Sequence, residues 1–433
     1  MKTVGIVGGG AAGALVAVNL LKAIGVGDEV IVFEPSMEIG RGVPYGTLDP
    51  LHLLNVRAGG MSALVDQPSH FAEWYSRQSG LSTSEATTAF APRRDYGRYI
   101  GELLAETAEN TRGCLTIIQE RVASVESGTR LALKTSGGAQ VLIDQLVLAT
   151  GHMTPETPDT LKAVEHDTRY IANPWSPDSL SRVQPDDSVF ILGTGLTMVD
   201  VVISLASRGH RGSIVARSRR GLVPMSHKLA PPAPFKIEDV DPNAVIKSVT
   251  RLLREAGADW RTVMDGMRPL TQQIWEMLSW EDRGRFVRKL RPFWDVHRHR
   301  IPESAHAVIE GLVELGRLDI GKGAVNSIDW VGDKLCVAVG DARISTDWIV
   351  NCTGPNLHLS QAKIPILESL VNNSLASYDP LGLGILVNSK GQTQPNGHIW
   401  ALGPLCRGSR WETTAIPEIR HQAATISTEI LYG

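Results

Sequence analysis

The residues best placed to do chemistry are a run of glycines followed by a single acid. Gly8-Gly9-Gly10-Ala11-Ala12-Gly13 has the spacing G-x-G-x-x-G, and Glu34 stands twenty-one residues after Gly13. Gly8 permits a tight turn, Gly10 lets a pyrophosphate approach the backbone, and Gly13 lets a helix pack closely on a strand. A helix opening near Ala11 and Ala12 would offer free N–H groups and its positive dipole end to the phosphates. Glu34 is spaced to accept the hydroxyls of an adenosine ribose. A second turn, Gly193-Thr194-Gly195-Leu196-Thr197-Met198, repeats the pattern with Met198 in place of the third glycine. Here the following strand leads not to an acid but to Arg217-Ser218-Arg219-Arg220. An acid would repel a 2′-phosphate, whereas a guanidinium fork binds one, so Arg217, Arg219 and Arg220 favour NADPH over NADH.

These residues need strand–turn–helix–strand units to hold them. Apolar residues 4–7, 14–24 and 30–33 supply strand, helix and strand around the first turn, and 188–192, 199–207 and 213–216 supply them around the second. Three later strands also run into turns, at Thr150-Gly151, at Thr353-Gly354 and at Gly403. A helix follows Thr413-Thr414-Ala415-Ile416-Pro417, with Thr414 as its expected cap and Pro417 in its first turn. Its dipole would face the pyrimidine edge of a flavin. Two dinucleotide units in one chain imply one FAD and one NADPH. The fold expected is α/β, with two Rossmann-like dinucleotide-binding domains and a mostly helical insertion. Its FAD-binding domain is split into 1–165 and 346–433, around an NADPH-binding domain at 166–345 that carries the insertion at about 235–316.

Composition narrows the function classes. The 433 residues carry 43 Lys+Arg and 46 Asp+Glu, a net charge of −3, which gives no electrostatic reason for nucleic acid or an anionic membrane as partner. Four scattered cysteines lack metal spacing and fit a reducing compartment, so a cytoplasmic protein with no metal is expected. No G-x-S-x-G elbow or phosphate-loop lysine motif is present. Glycine, at 42, exceeds the usual share of about 7%, and there are ten tryptophans. Trp260, Trp275, Trp280 and Trp294 fall in the insertion, as core, as a cover over the flavin or as a dimer face.

Other polar residues have two readings each. Asn55, in an apolar run, is the one candidate catalytic residue, able to bond the flavin edge or the nicotinamide amide; equally it caps a turn. Arg93, Arg94 and Tyr96 could hold phosphate or an acidic substrate, or simply open a solvated helix. His297-Arg298-His299-Arg300 is spaced wrongly for a metal on a helix and reads as a basic patch or an ion-paired helix end.

Taken together, the sequence resembles the bacterial FAD–NAD(P)-binding proteins distantly related to N-hydroxylating and Baeyer–Villiger flavin monooxygenases. Besides the two turns, the resemblance rests on Gly42-Val43-Pro44-Tyr45-Gly46, His52-Leu53-Leu54-Asn55-Val56, Met61-Ser62, Ser218-Arg219-Arg220-Gly221-Leu222 with His227, and the stretch from Trp411 to Arg420. It implies a cofactor set that adds Arg41, His52, Asn55, Val122, Thr150, Gly151, Gly354, Gly403, Thr414, Ala415 and Ile416 to the two turns. It also implies an activity: NADPH reduces FAD, and oxygen from O2 passes to a small-molecule substrate. An FAD/NADPH oxidoreductase without oxygen insertion, and a non-catalytic flavin-binding scaffold, remain open, as does the oligomeric state. Two departures stand out. Gly403 is followed by Pro404 where relatives carry Asp, and the marker F-x-G-x-x-x-H-x-x-x-Y/W is missing.

Overall fold

The computed structural model describes residues 1–153, 155–228, 235–393 and 397–433. Two five-stranded parallel sheets are built on one plan. The first runs Ile399–Ala401, Gln145–Leu148, Thr3–Val7, Glu29–Phe33, Cys114–Ile118. The second runs Tyr170–Ile171, Trp348–Asn351, Val189–Leu192, Ile214–Ser218, Leu318–Lys322. In each, the strand before the glycine turn lies third, between the strand that follows its helix and a crossing strand from much later in the chain. Each sheet also sends out a three-stranded antiparallel meander between its edge strand and its crossing strand. These meanders are Val122–Glu126, Leu131–Thr135, Gln140–Ile143 and Val325–Val331, Lys334–Val339, Ala342–Thr346.

The helices follow from what covers them. Ala11–Leu21 is apolar on every side because it is enclosed, sharing one core with the sheet, with Arg93–Asn110 and with Ile416–Tyr432. Leu196–Ser207 takes the equivalent place on the second sheet, and Met198 is wholly buried in its core. Opposite this helix lies Glu303–Glu314, which buries Ala305, Ile309 and Leu312 in the same core. It is therefore the crossover helix of the second sheet, not part of the insertion expected at 235–316. Amphipathic periodicity marks a helix but not the partner its apolar face will meet. The insertion proper comprises Val245–Glu255, Trp260–Met267, Thr271–Met277, Trp280–Lys289 and Arg291–Arg298, with a core of its own around Met264, Ile274 and Trp275. A second boundary also moves. Trp348–Asn351 pairs in parallel with Val189–Leu192 and Tyr170–Ile171, so a division at 345/346 would cut through the second sheet. Among the described residues, no helix is long and apolar enough to cross a membrane.

One buried ion pair holds the two sheets' helices together. Arg93, in the first turn of its helix, reaches Asp200 on Leu196–Ser207 at 2.9 Å, with side-chain exposures of 14% and 8%. Its Nε also donates to the Leu53 carbonyl at 2.9 Å. Arg93 is thus not part of a solvated helix start. Burial raises the Asp200 carboxyl above its ordinary value even against the pull of Arg93. Removing one member of such a pair strands the other, at a cost of about 3 kcal/mol or more. Arg93→Ala should lower stability by that amount in urea unfolding, and the double change Arg93→Met with Asp200→Leu should recover most of it.

Candidate active site

Both glycine turns are shaped by a close approach of backbone to backbone. Gly8 has φ +104°, and a Cβ there would lie 2.4 Å from the Ala149 carbonyl oxygen. Gly193 has φ +113°, and a Cβ there would lie 2.2 Å from the Cys352 carbonyl oxygen. The hydrogen bonds repeat as well. Gly8 N–H donates to Phe33 O at 2.9 Å and Gly193 N–H to Arg217 O at 2.8 Å. Ala149 N–H donates to Val7 O, and Cys352 N–H to Leu192 O, both at 2.8 Å. Only the third positions differ: a Cβ on Gly13 would fall 1.9 Å from Gly8 O, whereas Met198 occupies that place in the second unit.

The first turn is a cradle with open space and unspent polar groups. Gly10 caps Ala11–Leu21 without a side-chain bond, so the N–H groups at that helix start remain free for an anion. Glu34 lies over the turn, accepting from Gly9 N–H at 2.8 Å and Ser36 N–H at 2.9 Å, with lone-pair capacity left for hydroxyls. Thr150 Oγ1 is buried with no protein partner, and nothing lies within 4 Å of a Cβ placed on the next residue, Gly151. From the other side comes Gly403, whose imaginary Cβ would sit 3.8 Å from Ala12 Cβ. A closed ring of bonds fixes this corner: Gly403 N–H to Gln422 Oε1 at 3.1 Å, Gln422 Nε2 to Thr413 Oγ1 at 3.0 Å, Thr413 Oγ1 to Gly403 O at 2.9 Å. Gln422 has no motif around it and escapes sequence reasoning. An orphaned hydroxyl, an uncapped helix start and side-chain-free glycines fit an extended dinucleotide.

Several expected site residues are placed differently. Ala415, not Thr414, is the N-cap of Ile416–Tyr432, and no side chain caps it, because the helix begins only at Ile416 with Pro417 second. His52 has both ring nitrogens engaged by protein, Nδ1 with Thr47 Oγ1 at 2.7 Å and Nε2 with Ser204 Oγ at 2.8 Å. It therefore joins the two units rather than facing a free cleft. The Val122 side chain is buried in the core beneath the first sheet. Arg41 pairs with Glu38 at 3.0 Å and stays partly exposed near the short Gly42–Tyr45 helix.

In the second turn, Gly195 caps Leu196–Ser207 without a side-chain bond, and a Cβ on it would meet nothing within 4 Å. Leu196 and Thr197 open that helix, half-buried, and Gly354 lies past the crossing strand with open space beside it. Arg217 leaves the basic cluster: its guanidinium bonds the Asp319 carbonyl at 2.8 Å and the Asp319 carboxylate at 2.5 Å. Arg220 lies over the Phe293 ring at 5.9 Å. Arg219 is exposed and makes no hydrogen bond or ion pair among the described residues. Asn55 lines a narrow cleft between the units with Arg93, Leu196, Val199 and Asp200. Its carbonyl accepts from His227 Nε2 at 3.0 Å, and its side-chain amide bonds no described residue.

Spacing alone missed the charged group at the edge of the first cradle. Arg298 meets Glu412 at 3.3 Å and Glu418 at 3.5 Å, all well enclosed, and Trp294 Nε1 donates to Glu412 at 2.9 Å. Burial alone would raise the Glu412 carboxyl, but Arg298, His299, the Trp294 hydrogen bond and Arg268 together outweigh it, and the net shift is downward. His152, next to Gly151, is pushed down to about 3 by desolvation and then by Arg407, so its imidazole is neutral near pH 7. The 297–300 run is thus an ion-paired helix end, and Arg300 pairs with Asp265. Among the described residues no cluster could hold a metal.

Comparison with known proteins agrees with this geometry. Residues 5–153 match the family described as FAD-NAD(P)-binding. No curated protein matches the sequence. Among solved structures, the fold is similar to ornithine N-hydroxylase from Kutzneria sp. 744, in complex with reduced FAD, NADP+ and L-ornithine, at TM-score 0.69 and 15% identity over 99% of this chain and 98% of that one. It is similar to the FAD-bound cadaverine monooxygenase of Erwinia amylovora at TM-score 0.68 and 13% identity, over 99% and 94%. A flavin-containing monooxygenase from Stenotrophomonas maltophilia aligns at TM-score 0.56 and 16% identity, over 100% and 99%. At such identities the likeness is one of fold. Residues 5–153 are thus similar to an FAD-NAD(P)-binding domain, and the chain shares its fold with these proteins.

The orphaned Thr150 hydroxyl gives a signed prediction. Thr150→Val should leave the stability of the FAD-free protein unchanged or raise it by up to about 1 kcal/mol. It should weaken FAD binding roughly 2- to 10-fold, one hydrogen bond's worth, measured by equilibrium titration. Lost stability with unaltered FAD affinity would show that the hydroxyl serves the fold alone.

Proposed function

We propose that this protein is an FAD-dependent NADPH oxidoreductase acting as a monooxygenase on a small-molecule substrate. The duplicated, uncapped glycine turn supports this reading above all: one chain has two equivalent places for a dinucleotide pyrophosphate. Gly10, Ala11, Ala12 and Gly13 receive the FAD pyrophosphate at the open helix start, Gly8 shapes the turn beneath it, Glu34 takes the ribose, and Arg41 lies beside the phosphates. Thr150 and Gly151 line the approach, and Gly403, with Thr414 and the helix start at Ala415 and Ile416, faces the flavin ring. Gly193, Gly195, Leu196 and Thr197 hold the second pyrophosphate, and Arg219, with Arg220 behind it, takes the 2′-phosphate. Asn55 offers its unpaired amide where nicotinamide and flavin would meet. FAD, when bound and reduced, supplies oxygen activation; the protein orients the partners and keeps water out.

The test uses purified FAD-loaded protein. Anaerobic NADPH should bleach the visible flavin absorbance, and incubation with NADPH, isotopically labelled O2 and a small-molecule extract should yield a labelled product. No bleaching would refute the oxidoreductase, and hydrogen peroxide as the sole oxygen product would refute the monooxygenase. Arg219→Ala should raise the NADPH KM about ten-fold, the loss of one charge-assisted contact, with little change for NADH. An unchanged ratio would remove Arg219 from the 2′-phosphate site.

A further inference from the structure

The helical insertion and Trp411 line a half-open cavity of about 490 Å³, within the roughly 300–1,000 Å³ range of small-molecule sites. Its walls include six aromatic residues: Trp260, Trp275, Phe286, Phe293, Trp294 and Trp411. Their polar edges are used elsewhere where a partner is seen. Trp275 Nε1 donates to the Gly408 carbonyl at 3.0 Å and Trp294 Nε1 to Glu412 at 2.9 Å, which leaves ring faces for the cavity. No acid lines it among the described residues; the polar groups are two threonines, Arg254 and His297. His297 Nδ1 lies 2.7 Å from the Phe293 carbonyl, which can only accept. In the neutral ring Nε2 is therefore an acceptor, available for one donor on a bound molecule.

The cavity borders the first cradle. Trp411 forms part of its wall, Glu412 is tied to the insertion by Arg298 and Trp294, and Thr413 belongs to the bonded ring at Gly403. An ammonium entering the cavity would lose its hydration without meeting a counter-charge, which is costly. A short diamine or a zwitterionic amino acid is therefore disfavoured. Aromatic walls instead reward ring stacking and apolar burial. We infer that this cavity binds a neutral, ring-bearing small molecule carrying one hydrogen-bond donor. Its role as the acceptor substrate rests on the function proposed above; the binding itself does not.

Equilibrium dialysis of the FAD-loaded protein with N-phenyl-1-naphthylamine, a neutral two-part aromatic with one N–H, tests it. Saturable binding of one molecule per chain is expected, undisturbed by excess cadaverine. Val249→Trp, on the cavity wall, should weaken binding by about ten-fold or more, equal to some 1.4 kcal/mol. Leu253→Trp should do the same and serves if the first variant fails to fold. Absent saturation, displacement by cadaverine, or undiminished binding by a folded variant would overturn the inference. Saturable binding without flavin reduction by NADPH would instead refute the proposed function and leave the pocket standing.

Discussion

The architecture depends on one steric condition met twice: a glycine in the left-handed region lying against the carbonyl of a crossing strand. Gly8 meets Ala149 and Gly193 meets Cys352, each so closely that any side chain would collide. That contact sets how each helix start faces the end of the crossing strand. The space above the turn, and the free N–H groups aimed into it, are consequences. Gly13 and Met198 are where the two units differ, a side chain being barred at the first and buried at the second.

Two cradles become one site only if they are held face to face. The Arg93–Asp200 pair and the His52–Ser204 bond tie the first unit to the helix of the second. The insertion is anchored at the other end, where Arg298 and Trp294 grip Glu412. Glu412 lies between the bonded Thr413 corner and the aromatic wall at Trp411. Buried charge here costs desolvation, and the opposing pairs keep it in one arrangement.

Local signals in the sequence were enough for both turns and for the strand, helix and strand around each, because each unit rests on residues within about thirty positions. Long-range partners were not legible. Arg217 sits where a phosphate ligand should, but parallel pairing with Leu318–Lys322 brings Asp319 to it from 102 residues away. His52 lies in a family-like run, yet Ser204 claims it from across the domain interface. The two meanders carry turn glycines, Gly138 in one and Gly332 and Gly340 in the other, which account for part of the glycine excess. Of the insertion's tryptophans, Trp260, Trp275 and Trp294 come together around one cavity only on folding, while Trp280 stacks under Arg283.

The proposed place of NADP+ at the second glycine turn is tested most directly at Gly195. Its φ of −88° and the open space beside it let a larger residue fold there while filling the path of the pyrophosphate. Isothermal titration of NADP+ into the FAD-loaded protein should give one site per chain. With Gly195→Val the uptake of NADP+ should vanish while the FAD content stays at one per chain. NADP+ binding that survives at full affinity in that variant would contradict the account.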